Sequence, residues 1–277
     1  MDPEFTFDNT SIKENSLGQV VETVQVSDPG ETMTEPTSTV GESVDNATAG
    51  ASEAVTATPV STEEKSDEDA SKAEGETESE TALYTRIENT MIYAESGTSM
   101  EDISAALSGW DLLDERVRSK LEEYDMRVYL SETACSSIGE QYGGYAYGLK
   151  YKANAATLEI TTITQNAYCI IGTKGDIEGT VLHEIGHLLD FGIAIVVEGV
   201  YSASSCRISD SEAWRTIFNN DREKIAAIDS QTAANSDSAK ELFAEAFRLA
   251  FQHPDELIDK SPEAFNFVMA MVKEYTS

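Results

Sequence analysis

From Ser99 onward the apolar residues fall into two periods, and each change of period marks a new element. Ser99 to Leu107 and Asp111 to Tyr124 read as two helices separated by Gly109. In the second, Leu112, Leu113, Val117 and Leu121 recur at helical spacing. Met126 to Leu130 then alternates as a short strand. After a Gly-rich stretch, Tyr145, Tyr147, Leu149 and Tyr151 share parity and predict a strand over 145–151. Thr157 to Ile163, dense in β-branched residues, and Tyr168 to Ile171 predict two more. Gly172 to Gly175 turns the chain into an apolar helix through Val181, Leu182, Ile185, Leu188 and Leu189. Beyond Phe191 helical spacing dominates. Ser209 and Glu212 suggest a capping box for a helix to about Ile228, then a polar Ser/Ala/Asn-rich loop. A helix from Ser238 to Gln252 stops before Pro254, and Ser261-Pro262 caps and opens the last one. Helices, a small sheet, an apolar helix and more helices predict an α+β domain.

The first 82 residues look different. They hold 20 Asp and Glu against 3 Lys and Arg, and no aromatic residue lies between Phe7 and Tyr84. A stretch so rich in Thr, Ser, Glu and Ala buries too little apolar surface to offset chain entropy, so residues 1–82 are expected to be a disordered acidic leader or tether. Residues 83–277 are long enough for one domain with a proper core. The formal net charge of −32 argues against nucleic acid as partner, because phosphate contacts need clustered Lys and Arg. No apolar run approaches the roughly 20 residues of a membrane span. Met1-Asp2-Pro3-Glu4-Phe5 looks like a cloning remnant. A Ser/Thr/Glu-rich leader before a compact domain resembles the spacers of secreted or surface-anchored bacterial proteins, and a secreted or cell-surface location is expected on that basis. Cys135, Cys169 and Cys206 are odd in number and widely spaced, which fits small buried residues better than a disulfide framework or a structural zinc site.

Chemistry concentrates in the apolar helix, which contains His183-Glu184-Ile185-Gly186-His187. Two of the chain's 3 histidines lie here. On a helix, His183 and His187 stand one turn apart on one face, so both imidazoles can reach a single metal ion, while Glu184 could take a proton from water beside it. Catalytic zinc usually has three protein ligands plus water. A third histidine six residues after His187 is excluded, because that position is Ile193. Asp190 comes next on the same helix and could orient a ligand; His253, before Pro254, reads as a surface or helix-end residue. The better candidate is Glu241, with Glu245 one turn later. Two carboxylates on one face repel unless a cation lies near them; Zn2+ on Glu241, with Glu245 hydrogen-bonded to a ligand histidine, resolves the repulsion. The plainer alternative is a solvated face with one glutamate paired to Lys240 or Arg248.

His183-Glu-Ile-Gly-His-Leu-Leu-Asp190 together with Glu241-Leu-Phe-Ala-Glu-Ala-Phe-Arg248 resembles the zinc domain of the anthrax lethal factor and Pro-Pro endopeptidase family. The resemblance implies a zincin-like fold and a zinc metalloendopeptidase of the gluzincin type. His183, His187 and Glu241 would bind zinc, Glu184 would be the base, and Glu245 would support a ligand histidine. The family also has a tyrosine before the ligand glutamate that donates to the oxyanion; the matching stretch Gln231–Ser236 has none, so either Tyr201, Asn235 or another group compensates, or the chain is a slow or inactive member. The expected partner is a protein or peptide in extended form, along an edge strand with Thr157 to Ile163 the first choice, and the chain is expected to be a monomer. A zincin-fold peptide-binding module, catalytically weak or inactive, is the alternative reading, and an intracellular effector protease would share the chemistry.

Overall fold

The computed structural model describes residues 6–14, 20–27, 82–139, 143–154, 157, 159–199 and 207–277. Pro29–Glu80 separates as a unit of its own and lies outside the described residues; the elements below belong to the other unit. Seven strands form its main sheet: β1 (Thr6–Glu14), β2 (Val20–Ser27), β3 (Ala82–Arg86), β4 (Ile92–Glu95), β5 (Arg127–Leu130), β6 (Gly144–Tyr147) and β9 (Tyr168–Ile171). Their order is β1-β2-β3-β4-β5-β9-β6. β4, β5 and β9 run parallel, and β6 pairs antiparallel with β9 to close one side. A separate hairpin joins β7 (Lys150–Ala153) to β8 (Ile160–Gln165).

Helices cover the sheet. α1 (Met100–Leu112) and α2 (Glu115–Glu123) lie between β4 and β5, and the short α3 (Glu132–Ile138) comes after β5. α4 (Ile177–Leu188) leads through a π-helical turn (Leu189–Ile193) into α5 (Ala194–Glu198). A 3-10 turn (Ile208–Asp210), α6 (Glu212–Ala226), α7 (Ser230–Ala234), α8 (Ala239–Gln252), α9 (Pro254–Lys260) and α10 (Pro262–Tyr275) complete the chain. The result is a mixed α+β fold. Its core includes fully buried Ile92, Val128, Leu130 and Ile171 on the strands and Val181, Leu182 and Ile185 on α4. Trp214, Phe243 and Phe267 form an aromatic cluster beyond them, with ring centroids 5.3–6.4 Å apart.

Several local expectations change. The leader, expected without structure throughout, contributes β1 and β2, which extend the sheet outward from β3. The segment Val20-Val-Glu-Thr-Val-Gln-Val26 is β-branched at most positions, a local strand signal that the acidic composition of 82 residues masks. Gly109 does not break a helix. α1 runs through it and is capped at Leu113. A Cβ on Gly109 would stand 2.6 Å from the Glu178 carbonyl oxygen, so this glycine marks the close crossing of α1 and α4. The 145–151 segment is two strands, β6 in the main sheet and β7 in the hairpin. Ser211, not Ser209, caps α6 by accepting from the Trp214 N–H, and the expected loop before residue 238 contains α7.

Ile177–Glu198 forms a continuous helical run long and apolar enough to cross a membrane by composition, but 83% of its most apolar window is buried inside the fold. Its apolarity serves the core.

Candidate metal centre and cleft

α4 starts where the Asp176 side chain accepts from the Gly179 N–H at 3.0 Å, which sets the phase of the whole helix. Gly186 lets α8 approach: a Cβ there would stand 3.1 Å from both Ala244 Cα and Phe247 Cβ. With the two helices this close, Glu241 in the first turn of α8 faces His183 and His187 on α4. Its Oε2 lies 3.3 Å from His183 Nε2 and 3.0 Å from His187 Nε2. Both histidines are buried, their rings edge-on at 4.8 Å.

One ligand atom from each of His183, His187 and Glu241 lies within 4.8 Å of the others. Ligand atoms about 2.0–2.1 Å from a tetrahedral zinc stand roughly 3.3 Å apart, so the observed 3.0 and 3.3 Å spacings to Glu241 suit such an ion. Two imidazole nitrogens and a carboxylate oxygen also match zinc in donor type. The residues fit the metal.

Glu245 is fully buried behind this trio. Its Oε1 lies 3.1 Å from His183 Nδ1, a close contact that is not aligned as a linear hydrogen bond. The same oxygen accepts from Asn235 Nδ2 at 2.6 Å, and Oε2 accepts from Arg248 Nε at 2.7 Å. Arg248, also buried, donates onward to Asp229 Oδ2 at 2.7 Å, Thr232 Oγ1 at 2.9 Å and Gln252 Oε1 at 2.7 Å. Glu241 keeps its other oxygen 3.1 Å from Lys240 Nζ. Each glutamate thus has both a histidine and a cation beside it, and because Glu245 is fully buried the solvated-face alternative does not hold for it. Arg248 and Asp229 connect α7 to the metal helices, a link that residue spacing alone does not reveal.

Burial dominates the electrostatics. It pushes Glu184 up to about 7, opposed by the charge of His183 and reinforced by that of Glu241. Burial also opposes a charge on His183, but the Glu241 and Glu245 carboxylates outweigh it and lift that imidazole to about 10. His187, held down by burial and by the charge on its neighbour despite Glu241, falls to about 4. Glu245 is brought to about 2: burial would raise it, but the His183 contact and the charges of His183 and Arg248 prevail. Glu184 Oε2 is buried and has no hydrogen-bond partner among the described residues.

These groups open onto a cleft of about 530 Å³. One wall is α4 and α8; the other is β6, with Gly143, Gly144, Tyr145 and Ala146 lining the space. Tyr147 stacks on Tyr168 across the β6–β9 pair at 4.6 Å, so that tyrosine serves cross-strand packing. Phe191, in the π turn, closes one end and stacks on His187 at 5.7 Å. Such turns within α-helices often occur at functional sites.

Asn235 lines the cleft, yet its amide NH2 donates to Glu245, so its engaged role is to position that carboxylate. Tyr201 and Cys206 lie outside the described residues. Asp190 points away from the ligand trio and accepts from the N–H and hydroxyl of Ser209, at 2.8 and 2.7 Å. His253 sits at the end of α8, partly exposed, 3.8 Å from Glu256. Cys135 and Cys169 are buried, as the sequence suggested for small residues of the core. The strand beside the site is β6; of the expected substrate edge, Ile160 to Ile163 belong to β8 of the separate hairpin.

Fold and site together define a mixed α+β domain whose two packed helices bring a His-His-Glu set to a cleft beside a sheet edge. The chain belongs to the family of the anthrax toxin lethal factor, N- and C-terminal domain, whose model matches residues 77–271. No curated protein matches the chain.

Proposed function

We propose that this chain is a zinc-dependent endopeptidase that hydrolyses a peptide bond in an extended protein substrate. The observation that carries the reading is the convergence of His183, His187 and Glu241 beside the buried Glu184, whose Oε2 has no hydrogen-bond partner among the described residues, in a cleft lined by β6. Zinc, when bound, supplies Lewis acidity toward water and the scissile carbonyl.

The chain's own residues do the rest. His183 and His187 present Nε2, and Glu241 presents a carboxylate oxygen. Glu245 restrains the His183 ring through Nδ1, while Asn235 and Arg248 hold Glu245 in turn. Glu184, with its pKa pushed up to about 7, takes the proton from the attacking water and passes it to the leaving amine. β6 orients the substrate. Its pairing with β9 uses the Gly143 carbonyl, which accepts from the Gly172 N–H at 2.8 Å. Alternation along an antiparallel pair turns the N–H and C=O of Gly144 and Ala146 to the free side, where an added strand can bond to them.

A second reading has one observation in its favour. Asn235 Nδ2 and Lys240 Nζ, two donors lining the cleft, are both engaged with glutamates. Were no other lining donor, such as Tyr145 or Gln231, to reach the oxyanion, the rate would fall by about 10²–10³, as in a zincin-fold module that binds peptide and cleaves it weakly or not at all. Metal analysis combined with cleavage of a peptide library by wild type and Glu184→Ala separates the two. Stoichiometric zinc with Glu184-dependent cleavage supports the peptidase; stoichiometric zinc without it leaves the binding module.

A further inference from the structure

Gly144 lies in β6, directly over Glu184. A Cβ placed on it would stand 2.7 Å from Glu184 Oε1, 2.8 Å from Glu184 Cγ and 2.9 Å from Thr180 Cγ2, well inside ordinary contact. The backbone there does not need glycine, because the positive-φ glycines are Gly97, Gly175 and Gly199. What is needed is space, and the base fills it. The next residue on the same side of the strand is Ala146, also small, packed against Phe191 and Ile195 at the other end of α4. Small residues at alternate positions therefore let the sheet edge lie close over the metal helix.

We propose that Gly144 is a positioning residue of the site: its missing side chain holds open the volume in which the Glu184 carboxylate stands while the same strand receives the substrate. This inference rests on the peptidase reading for its kinetic consequence, but not for its structural one. Among the described residues Glu184 Oε2 has no hydrogen-bond partner to hold it, so packing against its neighbours helps to set its place, and β6 at Gly144 is one of them. An alanine at 144 forces the carboxylate from 2.7 Å to at least the 3.4 Å of ordinary contact. Displacements of this size at a reacting group cost up to about 10²-fold in rate.

The test uses the full, zinc-loaded chain with Gly144→Ala, Glu184→Asp and the double variant. The crystal structure of Gly144→Ala should show the Glu184 side chain in a new position and the His183, His187 and Glu241 positions unchanged, with zinc still stoichiometric. On a cleaved peptide, kcat should fall about 10- to 100-fold and KM stay within about two-fold. The double variant should be no slower than the slower single one, because the shorter aspartate no longer meets the added methyl. Should Gly144→Ala not fold, adding Thr180→Ser removes the Cγ2 that the new methyl meets and restores a measurable chain. An unmoved Glu184 carboxylate, wild-type kcat in Gly144→Ala, or fully additive losses in the double variant would each overturn the inference. A chain that cleaves no peptide refutes the peptidase reading instead, and the position of Glu184 in the Gly144→Ala crystal still decides the role of Gly144.

Discussion

The helical wall of the cleft and its strand wall face the same metal set but are held by different forces. Behind α4 and α8, Glu245 and Arg248 of α8 form one hydrogen-bonded network with Asp229 and Thr232 of the α7 turn, and Gly186 lets the two helices meet backbone to side chain. On β6 the residues are half-buried, small or aromatic, and among the described residues no strand pairs with the side away from β9. A wall made of networked charges fixes chemistry, because moving one group leaves another unsatisfied. A wall made of backbone and small side chains depends on no single side-chain bond and leaves space beside the His-His-Glu set.

If the helical wall carries the chemistry, Glu184→Gln should give the largest effect, a loss of about 10²–10⁴ in kcat with zinc content unchanged. Next in size is Arg248→Met. It leaves the Glu245 carboxylate buried with one cation fewer, and breaking such a pair costs about 3–5 kcal/mol; urea unfolding of the chelator-treated chain should read this directly. Removing zinc from the wild type should lower stability by about 3–4 kcal/mol when free zinc had stood at about 100 to 1,000 times its Kd. The shift should vanish in Glu241→Ala. Gly186→Ala should cost about 1–3 kcal/mol by prising α4 from α8. Gly144→Ala on the opposite wall should barely move the melting temperature, so the pair sharpens the contrast between the walls.

A separate effect concerns pH. Burial raises Asp190 to about 6, above its usual 3.8, despite the Ser209 bonds. The folded chain therefore binds that proton more tightly than the unfolded chain. The resulting stability is fully present below pH 3.8 and is lost as pH rises through about 6. Asp190→Asn keeps an acceptor for the Ser209 N–H and removes the titration. Relative to that variant, wild type should lose stability between about pH 4 and 6, as chemical denaturation at the two ends will show.

The helical wall was legible in the sequence because helix geometry is local. Four-residue spacing puts His183 with His187 and Glu241 with Glu245 on one face whatever surrounds them. The strand wall was legible only as a segment that could line the cleft, not in its pairing. Tyr145, Tyr147, Leu149 and Tyr151 share a parity that fits one strand, yet period-two alternation says nothing about the partner, and the chain divides them between two sheets. Pairing is decided by distant residues, here Tyr168 to Ile171 for β6. Gly109 misled for a related reason: a glycine that breaks a helix and one that permits helix crossing look alike until the neighbour, Glu178, is known. The role of Arg248 depended on Asp229 and Thr232 folding back onto α8, again a non-local fact.

A metal set on one wall and a peptide receptor on the other are tested together, and most directly, by one diffraction experiment at the zinc edge on Glu184→Gln crystals grown with a bound peptide. The predicted result is a single anomalous peak about 2.0–2.2 Å from His183 Nε2, His187 Nε2 and a Glu241 oxygen, with the peptide main chain bonded to Gly144 and Ala146. A peak elsewhere, no peak at full zinc loading, or a peptide seated away from β6 would contradict it.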